Sequence, residues 1–219
     1  MEFKIIYEDE NVLVIDKPTG VNSDDFKRRV HRLDKDTSGI LLIAKNDKAL
    51  EFLQKQFKER KTEKKYLALV VGHLKSDEGE IKTLFGRSPA NRKKQKIFLP
   101  NEPGAEGKRK AVTKYKVLQK FKNYDLIEVA PKTGRKHQIR THFAYLGHPI
   151  AGDKLYGFKN QICPKGLKRQ FLHASYLKIR FLPPARTLNA SHLKLSNRKE
   201  WKFKSDLPDD LKEILNSLK

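Results

Sequence analysis

Cysteine is nearly absent from this chain. Cys163 stands alone in 219 residues, which excludes an internal disulfide and a CxxC redox or zinc pair. Long apolar runs are missing too, and none approaches the roughly 18–20 residues that a spanning helix needs. The acid-rich N-terminus, MEFKIIYEDE, has no apolar core of a secretory signal. A cytoplasmic protein outside the membrane is the expectation. No GxGxxG follows a strand, and neither GxxxxGK[ST] nor a GxSxG elbow occurs. His137 and His142 lie five apart, roughly 140° around a helix, and would not share a metal. No cofactor and no metal are expected, so any chemistry must run on side chains.

Acids are also scarce relative to bases, 26 against 48, giving a formal charge of +22. So large an excess strains a compact fold by self-repulsion and is usually kept for a polyanion. Nucleic acid fits it best, with an anionic membrane surface as the rival. The apolar fraction, 37 %, is low, but 12 Phe and 7 Tyr argue against disorder.

The pattern of the chain mixes strands and helices without strict alternation. KIIYEDENVLVIDKPTG (4–20) reads as two short strands joined at Asp9–Asn11, and residues 21–30 as a helical turn. ILLIAK (40–45) has the continuous apolar character of a strand buried on both faces. Asn46-Asp47 offers a cap for a helix through about Arg60, with Leu50, Leu53 and Phe57 on one face. KKYLALVVG (64–72) is a further strand, and VTKYKVLQKF (112–121) with YDLIEVA (124–130) a hairpin around Lys122-Asn123. Residues 86–111 show little period. A helix is expected within 134–147, a strand over 171–181 and a terminal helix over 207–218. Together these predict an α+β fold with a mixed, mostly antiparallel sheet, in one domain over 1–219.

One stretch does not look like packing. HRLDKDTSG (31–39) holds two carboxylates among bases and hydroxyls, with Leu33 its only large apolar residue. A turn closed by Thr37-Ser38-Gly39 is the bland account. A glycosidase pair must straddle its bond with carboxyls roughly 5–9.5 Å apart, which Asp34 and Asp36, two residues apart, seldom achieve. The sharper account rests on the cations. A carboxylate set among Arg32, Lys35 and a distant arginine stays ionised, and it can act as a nucleophile on an anomeric carbon. RNA offers that carbon at every C1′.

HRLDKDTSGILLIAK resembles the HRLDxxTSGxxxxAK signature of the RluA-type pseudouridine synthases. YEDENVLVIDKPTGV, KKYLALVVG, NRKKQK (91–96), TGRKHQIRTHFAYLGHPIAGDKLYG (133–157) and LHA (172–174) follow in that family's order. The resemblance covers roughly residues 3–180. It implies isomerisation of uridine to pseudouridine in ribosomal or transfer RNA, without a cofactor; a monomer is the default expectation. It implies that Asp34 is the nucleophile, that Tyr66 packs on the target base, and that Arg140 pairs with Asp34. Whether Asp34 forms an adduct at C1′ or acts as a base towards a glycal is left open.

Arg32 matches an arginine that fills the stack vacated by a flipped uridine. His31, Thr37, Ser38 and Gly39 read as scaffold, as do His137 and His142. GRSPANRKKQK (86–96), above all Arg92, Lys93, Lys94 and Lys96, is expected to track phosphates. Only ten residues separate Gly20 from His31, fewer than the family usually carries, and no S4-like domain precedes the first strand, as in single-domain members. The competing account is a noncatalytic RNA-binding or ribosome-assembly module on the same fold. Arg140→Ala is expected to cost activity more than folding.

Overall fold

The computed structural model describes residues 3–180 and 200–219. Strands β1 (Lys4–Glu8) and β2 (Val12–Lys17) form the first hairpin. Asp9 makes its turn by accepting the amides of Asn11 at 2.8 Å and Val12 at 2.7 Å. A single 3-10 turn (Ser23–Asp25) leads to β3 (Ser38–Ala44), in which every residue is buried. Helix α1 (Asp47–Lys58) starts where Asn46 accepts the Ala49 amide at 2.9 Å.

Next come β4 (Glu63–Val71), β5 (Glu78–Arg87), β6 (Gln95–Phe98), β7 (Arg109–Phe121) and β8 (Tyr124–Pro131). Helix α2 (Gln138–Tyr145), β9 (Leu172–Arg180), β10 (Glu200–Lys204) and α3 (Asp209–Ser217) complete the described chain. Phe181, the last residue of the expected strand 171–181, lies outside the described residues.

Residues 86–111 are more regular than their sequence. β5 and β6 pair as a hairpin and β7 begins at Arg109. The alternation in β5 is masked by glycines whose missing side chains are replaced by neighbours. At Gly79 a Cβ would lie 2.8 Å from the Tyr115 hydroxyl, and at Gly86 it would meet the Lys108 stem. β10, which pairs with β9, likewise carried no readable signal.

The strands form one α+β sheet in the order β1-β2-β3-β9-β4-β8-β7-β5-β6, with β10 also on β9. Side chains alternate across it. Ala68 and Val70 of β4 pack with Ile139 and Phe143 of α2, while Leu69 packs with Leu211 and Ile214 of α3. Fully burying such a side chain is worth about 1.5–3 kcal/mol, so α2 and α3 are held by opposite faces of the same strand. Helix α1 lays Ala49 and Leu53 on Val12, Ile40, Leu42 and Leu177. None of the described helices is long and apolar enough to cross a membrane.

Every described pairing is antiparallel except β3 with β9, which meet at only two positions, Ser38↔His173 and Gly39↔Ala174. This seam joins the β1-β2-β3 side of the sheet to the rest, and the segment feeding β3 opens beside it. Gly39 makes the join possible. Its φ is +112°, and a Cβ there would sit 2.3 Å from the Ala174 carbonyl oxygen. Gly39→Ala is therefore expected to lower stability by more than about 3 kcal/mol, read by chemical denaturation. A loss under 1 kcal/mol would show that the seam is not constrained by this contact.

Candidate active site

The segment before β3 is fixed through its backbone. Buried Ser23 Oγ accepts the Leu33 amide at 3.0 Å and donates to the Leu33 carbonyl at 2.9 Å. The Thr37 amide donates to the Asp34 carbonyl at 3.0 Å, closing a turn. Lys17, fully buried at the end of β2, donates to the carbonyls of Pro18, Val21 and Lys35 at 2.8, 2.9 and 3.1 Å. Three carbonyls match the three protons of its ammonium, and burial pushes its pKa down to about 8.

From the other side Arg169 donates to the Asp36 carbonyl and to Ser38 Oγ, both at 3.2 Å, while its fork grips Asp210 of α3. Asp36 thus contributes a carbonyl to the scaffold. The Asp34 side chain turns to the cleft.

Arg140 on α2 meets that carboxylate, with Nη1 donating to Asp34 Oδ2 at 2.9 Å. Its Nε and Nη2 donate to the fully buried carboxylate of Asp153 at 2.7 and 2.8 Å. Burial alone would disfavour the Arg140 charge, but Asp153 and then Asp34 outweigh it and raise the pKa. Burial likewise opposes the Asp153 charge. Arg140 and the amides of Tyr156 and Leu155 win, and its pKa is lowered. The Arg140 guanidinium also lies 5.2 Å from the centre of the Tyr156 ring.

Tyr66 reaches the cleft from β4. Opposite it, β9 carries an extra residue between Ala174 and Tyr176, a bulge that shifts the register just at Lys65/Tyr66. Burial first, and then the charge of Asp34, raise the pKa of its phenol.

Asp34, Tyr66 and Arg140 all line a cleft of about 450 Å³, in the size range of a small-ligand site. Asp34 is the one carboxylate of the described lining. Arg32 stands at the rim with Lys58, Arg60, Lys132, Arg135 and Lys136 around the walls. Lys64 is deeper, and burial pushes its pKa down to about 8.

Arg32 lies 3.7 Å from Asp24 and is half exposed. The other cations expected to meet substrate, Arg92, Lys93, Lys94 and Lys96, stand off the cleft. Lys96 pairs with Glu102, and Lys94 lies 6.0 Å from the centre of the Tyr156 ring. Asp153, Tyr156, Lys17 and Arg169 were missed in the sequence, although Asp153 and Tyr156 sit in the GDKLYG end of the quoted arginine segment. His137 stands 3.8 Å from Asp34, closer to the site than a scaffold role requires.

The model of the RNA pseudouridylate synthase family matches residues 27–145, more than half of the chain, including Asp34, Tyr66 and Arg140. The chain belongs to that family. It is 42 % identical to an uncharacterised RNA pseudouridine synthase of Aquifex aeolicus, over 74 % of this chain and 58 % of that one. It is 36 % identical to ribosomal large subunit pseudouridine synthase C of Vibrio cholerae, over 84 % of this chain and 63 % of that one. Against the uncharacterised RNA pseudouridine synthase YlyB of Bacillus subtilis, identity is 33 % over the whole chain and 74 % of the relative. The chain thus spans less than two thirds of several relatives it matches. In three dimensions it superposes on human RNA pseudouridylate synthase domain containing 1 with a TM-score of 0.73, at 27 % identity, covering 99 % of this chain and 94 % of that one.

Within this pseudouridine synthase fold, Arg140 bears on folding as well as on the Asp34 carboxylate. Removing it strands Asp153, which has no solvent access. Arg140→Ala is therefore expected to cost about 3–5 kcal/mol of stability, with a substantial part recovered when Asp153→Asn is added. Urea denaturation of the single and double variants checks this.

His31 gives a pH signature. Its Nε2 accepts the Leu42 amide at 3.1 Å and must be unprotonated to do so. Burial, then Lys64, push its pKa down to about 3, and burial takes His142 down to about 4. The unfolded chain takes up these protons near pH 6.5 and the native state does not. Stability is then complete above about pH 6.5 and declines as pH falls from there towards 4. The thermal midpoint of His31→Gln, followed from pH 7 to 5, is expected to fall less steeply than that of the wild type.

Proposed function

We propose that this chain converts uridine in RNA to pseudouridine, with Asp34 acting on the ribose of an extruded nucleotide. The observation that carries the proposal is the single carboxylate of a cation-walled cleft, held at 2.9 Å by a buried arginine. In the isomerisation the N1–C1′ bond breaks and a C5–C1′ bond forms, the C5 proton leaves to solvent, and N1 gains a proton. No oxidant or second substrate is consumed.

Asp34 supplies the anionic oxygen that attacks C1′ or removes a ribose proton. Arg140 fixes its rotamer. Tyr66 packs against the freed uracil, its raised phenol staying protonated. Extruding a base costs a few kcal/mol, and Arg32 at the rim is placed to fill the gap. The basic walls bring in the polyanion, with Arg92, Lys93, Lys94 and Lys96 contacting phosphates farther from the cleft. The relatives named for the ribosomal large subunit favour ribosomal RNA over transfer RNA as substrate. We place the reaction in the cytoplasm, on a monomer.

A noncatalytic RNA-binding or ribosome-assembly module is the second reading. Such a module has no use for a carboxylate where phosphates approach. RNA tritiated at uridine C5, taken from cells lacking the gene, is expected to release tritium with wild type. Asp34→Asn should retain binding and lose more than about 10³-fold in rate, as expected when a nucleophile is removed. Release unaffected by that substitution refutes the role of Asp34, and no release by wild type favours the binding module.

A further inference from the structure

His137 is built into the cleft at some cost. It stands at the N-terminus of α2 with φ +57°, a left-handed backbone unusual outside glycine, and its side chain makes no bond to the helix amides. Its ring is instead aimed. The Tyr156 hydroxyl accepts the Gln95 amide at 2.8 Å and lies 2.9 Å from His137 Nδ1, to which it can donate its own proton. That leaves Nε2 bearing the hydrogen. The opposite atom demands the same tautomer, because Nε2 faces the acceptor-only oxygen Oδ1 of Asp34.

The two atoms are 3.8 Å apart, too far for a direct hydrogen bond. An oxygen about 2.8 Å from each would fit between a donor and an acceptor. A hydroxyl, which accepts and donates, is the complement of such a pair. A ribose with C1′ within reach of Asp34 carries one on the adjacent carbon.

We propose that His137 determines substrate choice by binding the 2′-hydroxyl of the target ribose, which accepts from Nε2–H and donates to Asp34 Oδ1. This rests on the isomerase reading above. Burial, with Arg140 and Lys136 nearby, outweighs Asp34 and Asp153 and lowers the pKa of the imidazole. A neutral ring suits a donor that must leave the Asp34 charge free to act. The 2′-hydroxyl is also the group by which a protein tells RNA from DNA.

The test is a coupling cycle. Once the modified uridine is mapped, an RNA fragment carrying it is prepared by ligation in two forms, with uridine or with a single 2′-deoxyuridine at that position. Removing the electron-withdrawing hydroxyl by itself eases departure at C1′, so slowing reports a lost contact. Wild type is expected to lose about tenfold or more in single-turnover rate on the deoxy form, the scale of one hydrogen bond to a charged or buried group.

His137→Asn, chosen because asparagine tolerates the left-handed backbone, should be slower on the uridine form with little change in KM. Its deoxy penalty should shrink to less than about threefold. His137→Gln, which keeps a donor of similar reach, should restore part of the penalty. Tyr156→Phe, which frees Nδ1, should shrink the penalty too and serves if His137→Asn does not fold. Equal penalties in wild type and the variants, or none in wild type, overturn the assignment while leaving the isomerase reading intact. No conversion of the uridine form by wild type overturns both.

Discussion

A guanidinium shared by two carboxylates organises this protein. Arginine presents five donors in a rigid plane, and Arg140 spends one edge on Asp153 and one further nitrogen on Asp34. Asp153 has no solvent access and is itself held by the amides of Leu155 and Tyr156. The cation is therefore fixed by the partner that cannot leave, and it passes that rigidity to the partner facing the cleft. Asp34 and Arg140 are 106 residues apart and belong to segments on either side of the thin β3–β9 seam. Their contact is thus a tertiary constraint as well as a local charge pair.

The backbone around Asp34 is restrained by two more buried cations. Lys17 takes the carbonyl of Lys35 and Arg169 that of Asp36, the residues immediately after the acid. Cations on carbonyl oxygens hold the loop without competing for the carboxylate. Arg169 extends the same network to Asp210, so α3, near the end of the chain, braces the loop that feeds β3. Gln170 adds a bond to Thr37 at 2.8 Å. Side chains held from so many directions lose little further freedom when a ligand arrives, which is the physical content of preorganisation.

Much of this was legible in the sequence because it was local. The β1–β2 hairpin, the Asn46 cap, the all-buried β3 and the apolar face of α1 follow from patterns a few residues long. Asp34, Tyr66 and Arg140 could be singled out from motif resemblance, and they share one cleft. β5 was hidden because Gly79 and Gly86 interrupt its alternation, and the Tyr115 ring of β7 and the Lys108 stem just before β7 fill the space their side chains would take. Lys17 and Arg169 read as ordinary surface charges in a chain with 48 bases. Nothing near them in sequence shows that they are buried and bonded to backbone carbonyls. His137 was assigned to scaffold, because Asp34 lies in a different segment and Tyr156 is 19 residues further along the chain.

The same arrangement resolves an electrostatic conflict. A strongly basic surface draws in a polyanion, and low-dielectric walls concentrate that field in a cleft. An uncompensated carboxylate at its floor would repel the phosphates. Arg140 lies 2.9 Å from Asp34, well inside a screening length of about 8 Å. A phosphate at the rim therefore meets the pair as a dipole, among the cations of Arg32, Lys132 and Lys136 that line the same cleft. A group that approaches to bonding distance meets Oδ1, the oxygen that Arg140 leaves without a direct bond. Attraction at long range and an anionic oxygen at short range can coexist because the compensating cation is largely buried and bonded to the other oxygen of the acid.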